Sequence, residues 1–588
     1  MAKGVTGKVF DVNLLKRVIE YVKPYKTTFI FTGMLVLVLG FLAPIRPFLI
    51  QYAVDNFILK PDEIMLYYIT LLLVGLLILE AILFFAQTYM ANWLGQSVIK
   101  DIRLNLYKKI NNFQLRYFDN TPIGTLVTRV VSDIETIADI FSQGILIIIG
   151  DILKLVVIIG FMLYQDWRLT LIVLIPMPIL FLATYWFKNY IKKAFQDVRS
   201  AIANLNTFVQ EHLTGMNIVQ VFNREDREQK LFEEINNQHA QANIRTVWAN
   251  SVFFPIVEVL SSISLALLVW WGAKDVISGH TTPGTLIAFI LYIGMLYRPI
   301  RQLADKFNTL QMGMVASERV FNLLDTDDSI IDNGALSSIQ IKGNIEFKNV
   351  WFAYKEEDWV LKGVNFLANS GQTIAFVGAT GAGKSSVINL LGRFYEYQKG
   401  EILIDGNNIR EYKLDDLRKE VGVVLQDVFL FSDSIMNNIS LRNSKISEEQ
   451  IIEASKKVGA HEFISKLPGG YHFNVQERGG MLSSGQRQLI AFIRAYVYNP
   501  SILILDEATS SVDTETERLI QNAIDILTEG RTSIIIAHRL ATIQKANNII
   551  VMDHGEIVEQ GGHQELLNQN GVYKNLYELQ FSKNKVEE

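Results

Sequence analysis

Eight consecutive residues, Gly378-Ala379-Thr380-Gly381-Ala382-Gly383-Lys384-Ser385, fit the pattern G-x-x-x-x-G-K-[ST]. Such a run can hold a chain of phosphates. Its glycines let the backbone curl, so that several N–H groups converge on phosphate oxygens. The N-terminus of a following helix adds partial positive charge. Lys384 brings a full charge to the β- and γ-phosphates, and the Ser385 hydroxyl can take a Mg²⁺ position. The elements around the run suit that task. Thr373 to Val377 is an apolar stretch that reads as a strand, and Ser386 to Leu391 opens a helix.

A second group with chemistry lies downstream. Ser501-Ile502-Leu503-Ile504-Leu505-Asp506-Glu507 reads as a buried strand ending in two carboxylates. Asp506 at its tip can face Mg²⁺, directly or through water. Glu507 can orient or deprotonate an attacking water. An acidic pair after a strand is by itself an ordinary solvated turn. A phosphate loop in the same domain makes it a hydrolytic pair.

The elements that position these groups occupy less than half of the 588 residues. At least two domains are expected. Polarity changes near residue 320, from long apolar stretches to short alternating strands, Gly-rich turns and amphipathic helices. Six stretches are apolar for the roughly 20 residues that a bilayer core requires. They are Thr27 to Ile45, Ile64 to Ile99, Ile140 to Gln165, Leu169 to Phe187, Val247 to Ala273 and Thr281 to Tyr297. The charges inside them are Glu80, Asp151, Lys154 and Glu258. Such groups rarely face lipid. Asp151 and Lys154, three apart on one helical face, are spaced to pair with each other. Glu80 and Glu258 are the candidates for contact with a cationic amphiphile.

Lys and Arg placement sets the expected orientation. Six lie before residue 27, six between Lys100 and Glu135, and eight between Lys188 and Thr246; the alternate connections carry few. Both termini are therefore expected in the cytoplasm. Trp93, Trp167, Trp186, Trp248, Trp270 and Trp271 lie near span ends, where amphipathic rings prefer to sit. The inner connections are long and read as helices that leave the membrane and return. Two tips stand out, Asp119-Asn120-Thr121-Pro122 and the Thr214-Gly215 break before Met216 to Phe222. Val12 to Val22 carries Leu14, Leu15, Val18, Ile19 and Val22 on one face, as an interfacial helix would. No cleavable signal is expected, because the first apolar run is too long.

Composition agrees. Apolar residues make up 49% and charged ones 20%, and mean hydropathy is +0.21. A net charge of −5 argues against nucleic acid as the main partner. The chain has no cysteine, which excludes disulfides, thiolate metal ligands and a cysteine nucleophile.

Between the two motifs lies Leu482-Ser483-Ser484-Gly485-Gln486, followed by Arg487 and Gln488. It closely resembles the signature of ABC-type ATPases. The rest of that family's pattern follows in order. Tyr354 resembles its adenine-stacking aromatic, and Gln426 in Leu425-Gln426-Asp427 its Mg²⁺- and γ-phosphate-sensing glutamine. Glu477-Arg478-Gly479 resembles the loop before the signature in exporters. Ser511-Val512-Asp513 resembles the D-loop, and His538 the switch histidine that contacts γ-phosphate. The membrane half resembles the exporters too, at Tyr117-Phe118-Asp119 through Gly124, at Arg129 to Asp133, at Glu211 through Gly215 to Phe222-Asn223-Arg224-Glu225, and at Ser317-Glu318-Arg319-Val320-Phe321. Ser484 departs from the pattern, standing where the signature has its first glycine; Gly485 is kept.

The resemblance implies an all-α six-helix transmembrane domain over residues 1–320, a linker over 321–340, and an α/β P-loop ATPase domain over 341–588. It implies ATP and Mg²⁺ as ligands. Nucleotide would be held by Tyr354, Gly378, Ala379, Thr380, Gly381, Ala382, Gly383, Lys384, Ser385 and Ser386. The partner chain would add Ser483, Gly485 and Gln486, with Asp513 nearby. Ser385, Gln426 and Asp506 would hold the metal, and Glu507, His538 and Gln426 would serve hydrolysis. One chain supplies one phosphate loop and one signature, so a second half-transporter is implied, with an identical copy favoured. The expected function is export of a hydrophobic or amphipathic, multidrug-like substrate from a bacterial plasma membrane. A lipid or glycolipid flippase is the alternative, and an ATP-gated channel or receptor a third reading.

Overall fold

A helix in hydrocarbon must satisfy every backbone group internally, so apolar stretches without turn residues form long unbroken helices. The computed structural model describes residues 12–330, 332–337, 341–355, 357–506, 514–537 and 540–581. They fall into two units, one of residues 1–111 with 123–327, the other of 112–122 with 328–588. Residues 112–122, which the sequence pattern assigns to the membrane half, thus fold with the second unit.

The first unit is helical. Its elements are α1 (Val12–Glu20), α2 (Lys26–Leu42), α3 (Ile45–Ala53), α4 (Glu63–Asn111), α6 (Ile123–Thr128), α7 (Ile134–Asp139), α8 (Ile145–Gln165), α9 (Trp167–Leu174), α10 (Met177–Thr214), α11 (Met216–Val221), α12 (Glu225–Ile277) and α13 (Pro283–Asp325). The short α5 (Leu115–Asn120) belongs to the second unit. Six helical stretches among the described residues are long and apolar enough to cross a membrane. Several run much further. At 49 residues α4 is roughly 73 Å long, well over twice a hydrocarbon core. The break at Gly215 is present and separates α10 from α11. The exposed face of α11 carries Ile218 and Val221, with Phe222 just after it.

Packing within this unit uses close backbone approach and shared polar groups. A side chain at Gly150 of α8 would come within 2.6 Å of Val36 on α2. The buried Ser264 hydroxyl bonds the Tyr297 hydroxyl at 2.7 Å and donates to the Val173 carbonyl. Asp55 caps α13 from outside, accepting from the Gly284 amide at 2.8 Å and the Thr282 hydroxyl at 2.6 Å.

The intramembrane charges pair differently from the sequence spacing. Asp151 makes its ion pair with Lys306 of α13, not with Lys154. Lys154 lies within electrostatic range of Glu80, Asp151, Arg298 and Arg46. Glu80 pairs with Arg46 at 3.7 Å. Glu258 is exposed on α12.

The second unit is α/β. Its elements are β1 (Ile345–Ala353), β2 (Trp359–Ala368), β3 (Thr373–Val377), α14 (Lys384–Leu391), β4 (Lys399–Ile404), β5 (Asn407–Asn408), α15 (Leu414–Glu420), β6 (Val421–Val424), α16 (Ile435–Ser440), α17 (Glu448–Val458), α18 (His461–Lys466), α19 (Ser484–Tyr498), β7 (Ile502–Asp506), α20 (Thr514–Thr528), β8 (Thr532–Ile536), α21 (Leu540–Lys545), β9 (Asn548–Asp553), β10 (Glu556–Gly561), α22 (His563–Asn568) and α23 (Val572–Phe581). A six-stranded sheet has the order β10-β9-β3-β8-β7-β6, parallel from β9 to β6 with β10 antiparallel at the edge. A four-stranded antiparallel sheet has the order β2-β1-β4-β5. Alternate residues of the parallel strands enter two separate cores. Ile374, Phe376, Ile504 and Ile534 face α14 and the smaller sheet, while Ala375, Val377, Leu505 and Ile535 face α17, α19 and α20. A parallel sheet covered on both faces reads as continuous apolar runs, as these strands do.

Helix α1 is clasped to the end of α13. Arg17 makes two hydrogen bonds to the Asp325 carboxylate, at 2.7 and 2.8 Å, and lies over the Phe321 ring at 4.4 Å. Tyr21 stacks on the same ring. The Arg17 hydrogen bonds hold the Asp325 carboxyl below its ordinary pKa. A depressed acid contributes stability above the usual carboxylate range and loses it as pH falls through the depressed value. The side chains are 40% and 56% exposed, so screening limits the pair to about 1 kcal/mol. At fixed pH, Arg17→Ala is expected to speed hydrogen exchange across 12–20 by up to about fivefold, and in the parent chain acidification is expected to lower protection there once the intrinsic pH dependence of exchange is divided out. An unchanged exchange rate in the variant would detach α1 from this contact.

Candidate functional site

The phosphate loop joins β3 to α14, and its conformation demands glycine. Gly383 has φ +100°, and a side chain there would come within 2.7 Å of Leu361. At Gly378, with φ +153°, it would come within 2.2 Å of the Met552 carbonyl. The rim at Ala379, Thr380 and Gly381 is exposed, while Ala382 and Gly383 are buried beneath it. Among the described residues, the amides of Gly381, Gly383, Lys384 and Ser385 have no hydrogen-bond acceptor. Four donors at one helix N-terminus suit an anion.

Lys384 is 8% exposed, and its ammonium donates to the carbonyls of Gly378 and Ala379 at 2.8 and 2.9 Å. The lysine thereby braces the loop from inside. Burial pushes its pKa down, and the nearby Asp506 carboxylate partly restores it. An arriving phosphate would act in the same direction as Asp506. Ser385 is exposed and its hydroxyl is available to a metal.

Topology explains why Asp506 lies near this loop and why Gln426 stands on the same edge of the sheet. The strands β3, β8, β7 and β6 are parallel, so their carboxyl ends lie on one edge of the sheet. The phosphate loop follows β3, Asp506 ends β7, and Gln426 follows β6 by two residues. Open parallel sheets bind ligands at that edge. Gln426 is exposed. An exposed serine hydroxyl, a carboxylate and an amide oxygen are hard oxygen donors and fit Mg²⁺. Glu507, Asp513 and His538 lie outside the described residues.

The signature segment belongs to the other core. Ser483 caps α19: the Gln486 amide donates to its hydroxyl at 3.2 Å, and the Gln486 side chain accepts from the Ser483 amide at 3.0 Å. This capping box satisfies two helix-end donors. Ser484 is the first residue of the helix, and the buried Gly485 follows it. The substitution at Ser484 therefore leaves the helix start intact. Among the described residues, none of these four bonds the phosphate loop of its own chain.

Tyr354 reaches α14. Its hydroxyl is 3.2 Å from the Ser386 hydroxyl and accepts from Asn389 at 3.1 Å. Ser386, expected at the nucleotide, thus has its hydroxyl on Tyr354. The sequence pattern does not single out Asn389 or Tyr395, whose ring meets Tyr354 edge-on at 4.9 Å. Spacing offered one signal, since Ser386 and Asn389 stand three apart on a helix and so share a face.

Comparison with known proteins agrees with both halves. The model for the ABC transporter transmembrane region matches residues 29–300, and the ABC transporter model matches residues 361–510. A Bacillus subtilis protein, the uncharacterized ABC transporter ATP-binding protein YknV, is 37% identical over 98% of this chain and 96% of its own. The ATP-dependent lipid A-core flippase of Syntrophus aciditrophicus is 35% identical over 100% of this chain and 98% of its own. The putative multidrug export ATP-binding/permease protein YgaD of Bacillus subtilis is 37% identical over 97% and 100%.

Left-handed strain and the Leu361 contact make Gly383→Ala costly, by roughly 1–3 kcal/mol. Its Tm is expected to fall, and the ATP-dependent rise in Tm to vanish. Lys384→Ala is expected to abolish the ATP-dependent rise as well, with a smaller fall in Tm, about 1 kcal/mol for its two loop hydrogen bonds. A full ATP shift in Lys384→Ala would place the phosphate chain elsewhere.

Proposed function

The chain belongs to the ABC transporters, and from that premise we propose that it is one half of an exporter whose two ATP sites form between two chains. The observation that carries this reading is the shared edge of the parallel sheet, where a glycine loop, a carboxylate and a glutamine each follow or end a parallel strand, in a chain that also holds six membrane-length helices. The chain is a multi-pass membrane protein with an ATP-hydrolysing domain.

In this reading the amides of Gly381, Gly383, Lys384 and Ser385 take phosphate oxygens, and Tyr354 takes the adenine. Ser385, Gln426 and Asp506 would hold Mg²⁺, which would offset the charge of the phosphates. Glu507 orients and deprotonates water, and His538 contacts the γ-phosphate. Ser483, Gly485 and Gln486 of the partner chain close the site from its other side. Only closure brings the partner's signature onto the phosphates, so ATP binds the closed pair better than the open one. That difference is what shifts a two-state membrane cavity. Both termini lie in the cytoplasm of a bacterial cell, by the Lys and Arg bias, and the partner is a second copy of this chain.

For the cargo, a hydrophobic or amphipathic molecule suits the apolar helices, and the relative YgaD is named for multidrug export. One observation favours the lipid reading. Among the described residues, Arg46, Lys154, Arg298 and Lys306 are grouped with Glu80 and Asp151 in the membrane half, four cations to two carboxylates. Of the two candidate acids, Glu80 is already paired with Arg46. An anionic headgroup suits this excess better.

Glu507→Gln is expected to bind ATP and remain closed with turnover cut by at least about a hundredfold. Turnover near the parent rate would take Glu507 out of its role. ATP-dependent uptake into inside-out vesicles tests the cargo, with a cationic dye set against a fluorescent anionic lipid. The lipid is expected to stimulate ATPase activity more strongly, and Lys154→Ala to lose that stimulation. Uptake of neither substrate would remove the exporter reading.

A further inference from the structure

The segment 112–122 folds with the ATPase unit, and one side chain links it to Tyr354. Its start is tethered to residues 328–329. The Gln114 amide donates to the Asp328 carbonyl at 2.8 Å, the Gln114 side chain donates to the Ser329 carbonyl at 3.2 Å, and Phe113 pairs with Ser329. Helix α5 then carries Asp119 to Tyr395, whose hydroxyl donates to the Asp119 carboxylate. Tyr395 is only 6% exposed. Its ring meets Tyr354 at 4.9 Å and Phe352 at 5.8 Å, both edge-on. Tyr354 in turn is bonded to Ser386 and Asn389 on α14, the helix that begins with Lys384.

We propose that Tyr395 is a positioning residue that joins the nucleotide site to the 112–122 tip, its ring setting the plane of Tyr354 and its hydroxyl holding Asp119. The proposal rests on the reading that adenine stacks on Tyr354. An aromatic ring that receives a base must keep one face open, and edge-on neighbours hold it without covering that face. Phe352 and Tyr395 are those neighbours. Tyr395 is enclosed, so a shift of Tyr354 against it has few ways to be absorbed. At its far end the bond to a carboxylate is charge-assisted and directional. The nucleotide thus reaches Tyr395 by two routes, the base through the Tyr354 ring and the phosphates through α14 and the Tyr354 hydroxyl.

A contact chain becomes coupling only if both ends bias the same equilibrium, which double-variant cycles measure. The absence of cysteine provides a direct readout. Asn120→Cys, on the exposed end of α5, would carry an environment-sensitive dye on the full chain in membrane. ATP is expected to change the dye signal in this labelled parent. Tyr395→Phe keeps the ring and drops the hydroxyl, so ATP affinity is expected to stay within about twofold while the dye response falls about threefold or more. Asp119→Ala is expected to match it, and the double variant to lose nothing further. Tyr395→Leu removes the ring too, and is expected to weaken ATP binding by about threefold to tenfold. A full dye response in Tyr395→Phe, additive losses in the double variant, or a labelled parent that ignores ATP would each overturn the proposal. Vesicle transport separates it from the exporter reading. A chain that moves no substrate yet keeps a Tyr395-dependent dye response overturns the exporter reading alone.

Discussion

Hydrocarbon offers a backbone N–H or C=O no partner, so a chain that enters it must remain helical until it leaves. The first unit follows from that constraint. Helices α4, α10 and α12 do not stop at a bilayer's thickness but continue for 49, 38 and 53 residues. A helix is stiff along its axis, so what happens at one end of such a rod is felt at the other. Irregularity is confined to places where side chains or turns supply the missing bonds. The α10–α11 break falls at Gly215, and the turns before α7 and α8 are widened into π turns at Arg129–Asp133 and Ile140–Gly144. The first of these is held by ion pairs to Asp133 from Arg129 and Arg319.

The second unit answers a different constraint. Phosphates must be held by many weak donors aimed at one place, and side chains alone are too mobile for that. A parallel sheet collects loops at the carboxyl ends of its strands without any one loop having to be long. The same alternation that buries Ile374 and Phe376 on one face and Ala375 and Val377 on the other holds β3 rigid behind the loop. Lys384 closes the arrangement by bonding the loop's own carbonyls. The signature helix α19 grows from the other core, with its capping box turned inward on itself. On the proposed reading, a chain built this way carries two halves of different sites, and that is the physical root of its need for a partner.

Much of this was legible in order along the chain. The strand Thr373 to Val377, the loop, the helix after it and the strand ending at Asp506 stand where their residues place them, because local propensity and burial agree there. The Gly215 break was legible because a helix end needs only a few local residues. The charge pairing was not. Asp151 has Lys154 one turn away, yet its partner is Lys306, more than a hundred residues on. Sequence spacing reports neighbours on one helix, whereas the choice between candidate cations depends on which helix packs alongside. Nor did the sequence pattern show that the Ser386 hydroxyl lies against the Tyr354 hydroxyl.

By itself the sequence determined the class of each half, the number of membrane-length helices, and the glycine loop set between a strand and a helix. Those properties follow from composition over about 20 residues, or from short motifs whose geometry is local. Tertiary structure decided which charges meet inside the membrane half, that residues 112–122 fold with the ATPase unit, and that Tyr395 stands between Asp119 and Tyr354. The reason is one of range. Helix, strand and glycine loop are written in contacts a few residues apart, while a side chain 276 positions from its partner is placed only when the intervening chain has packed.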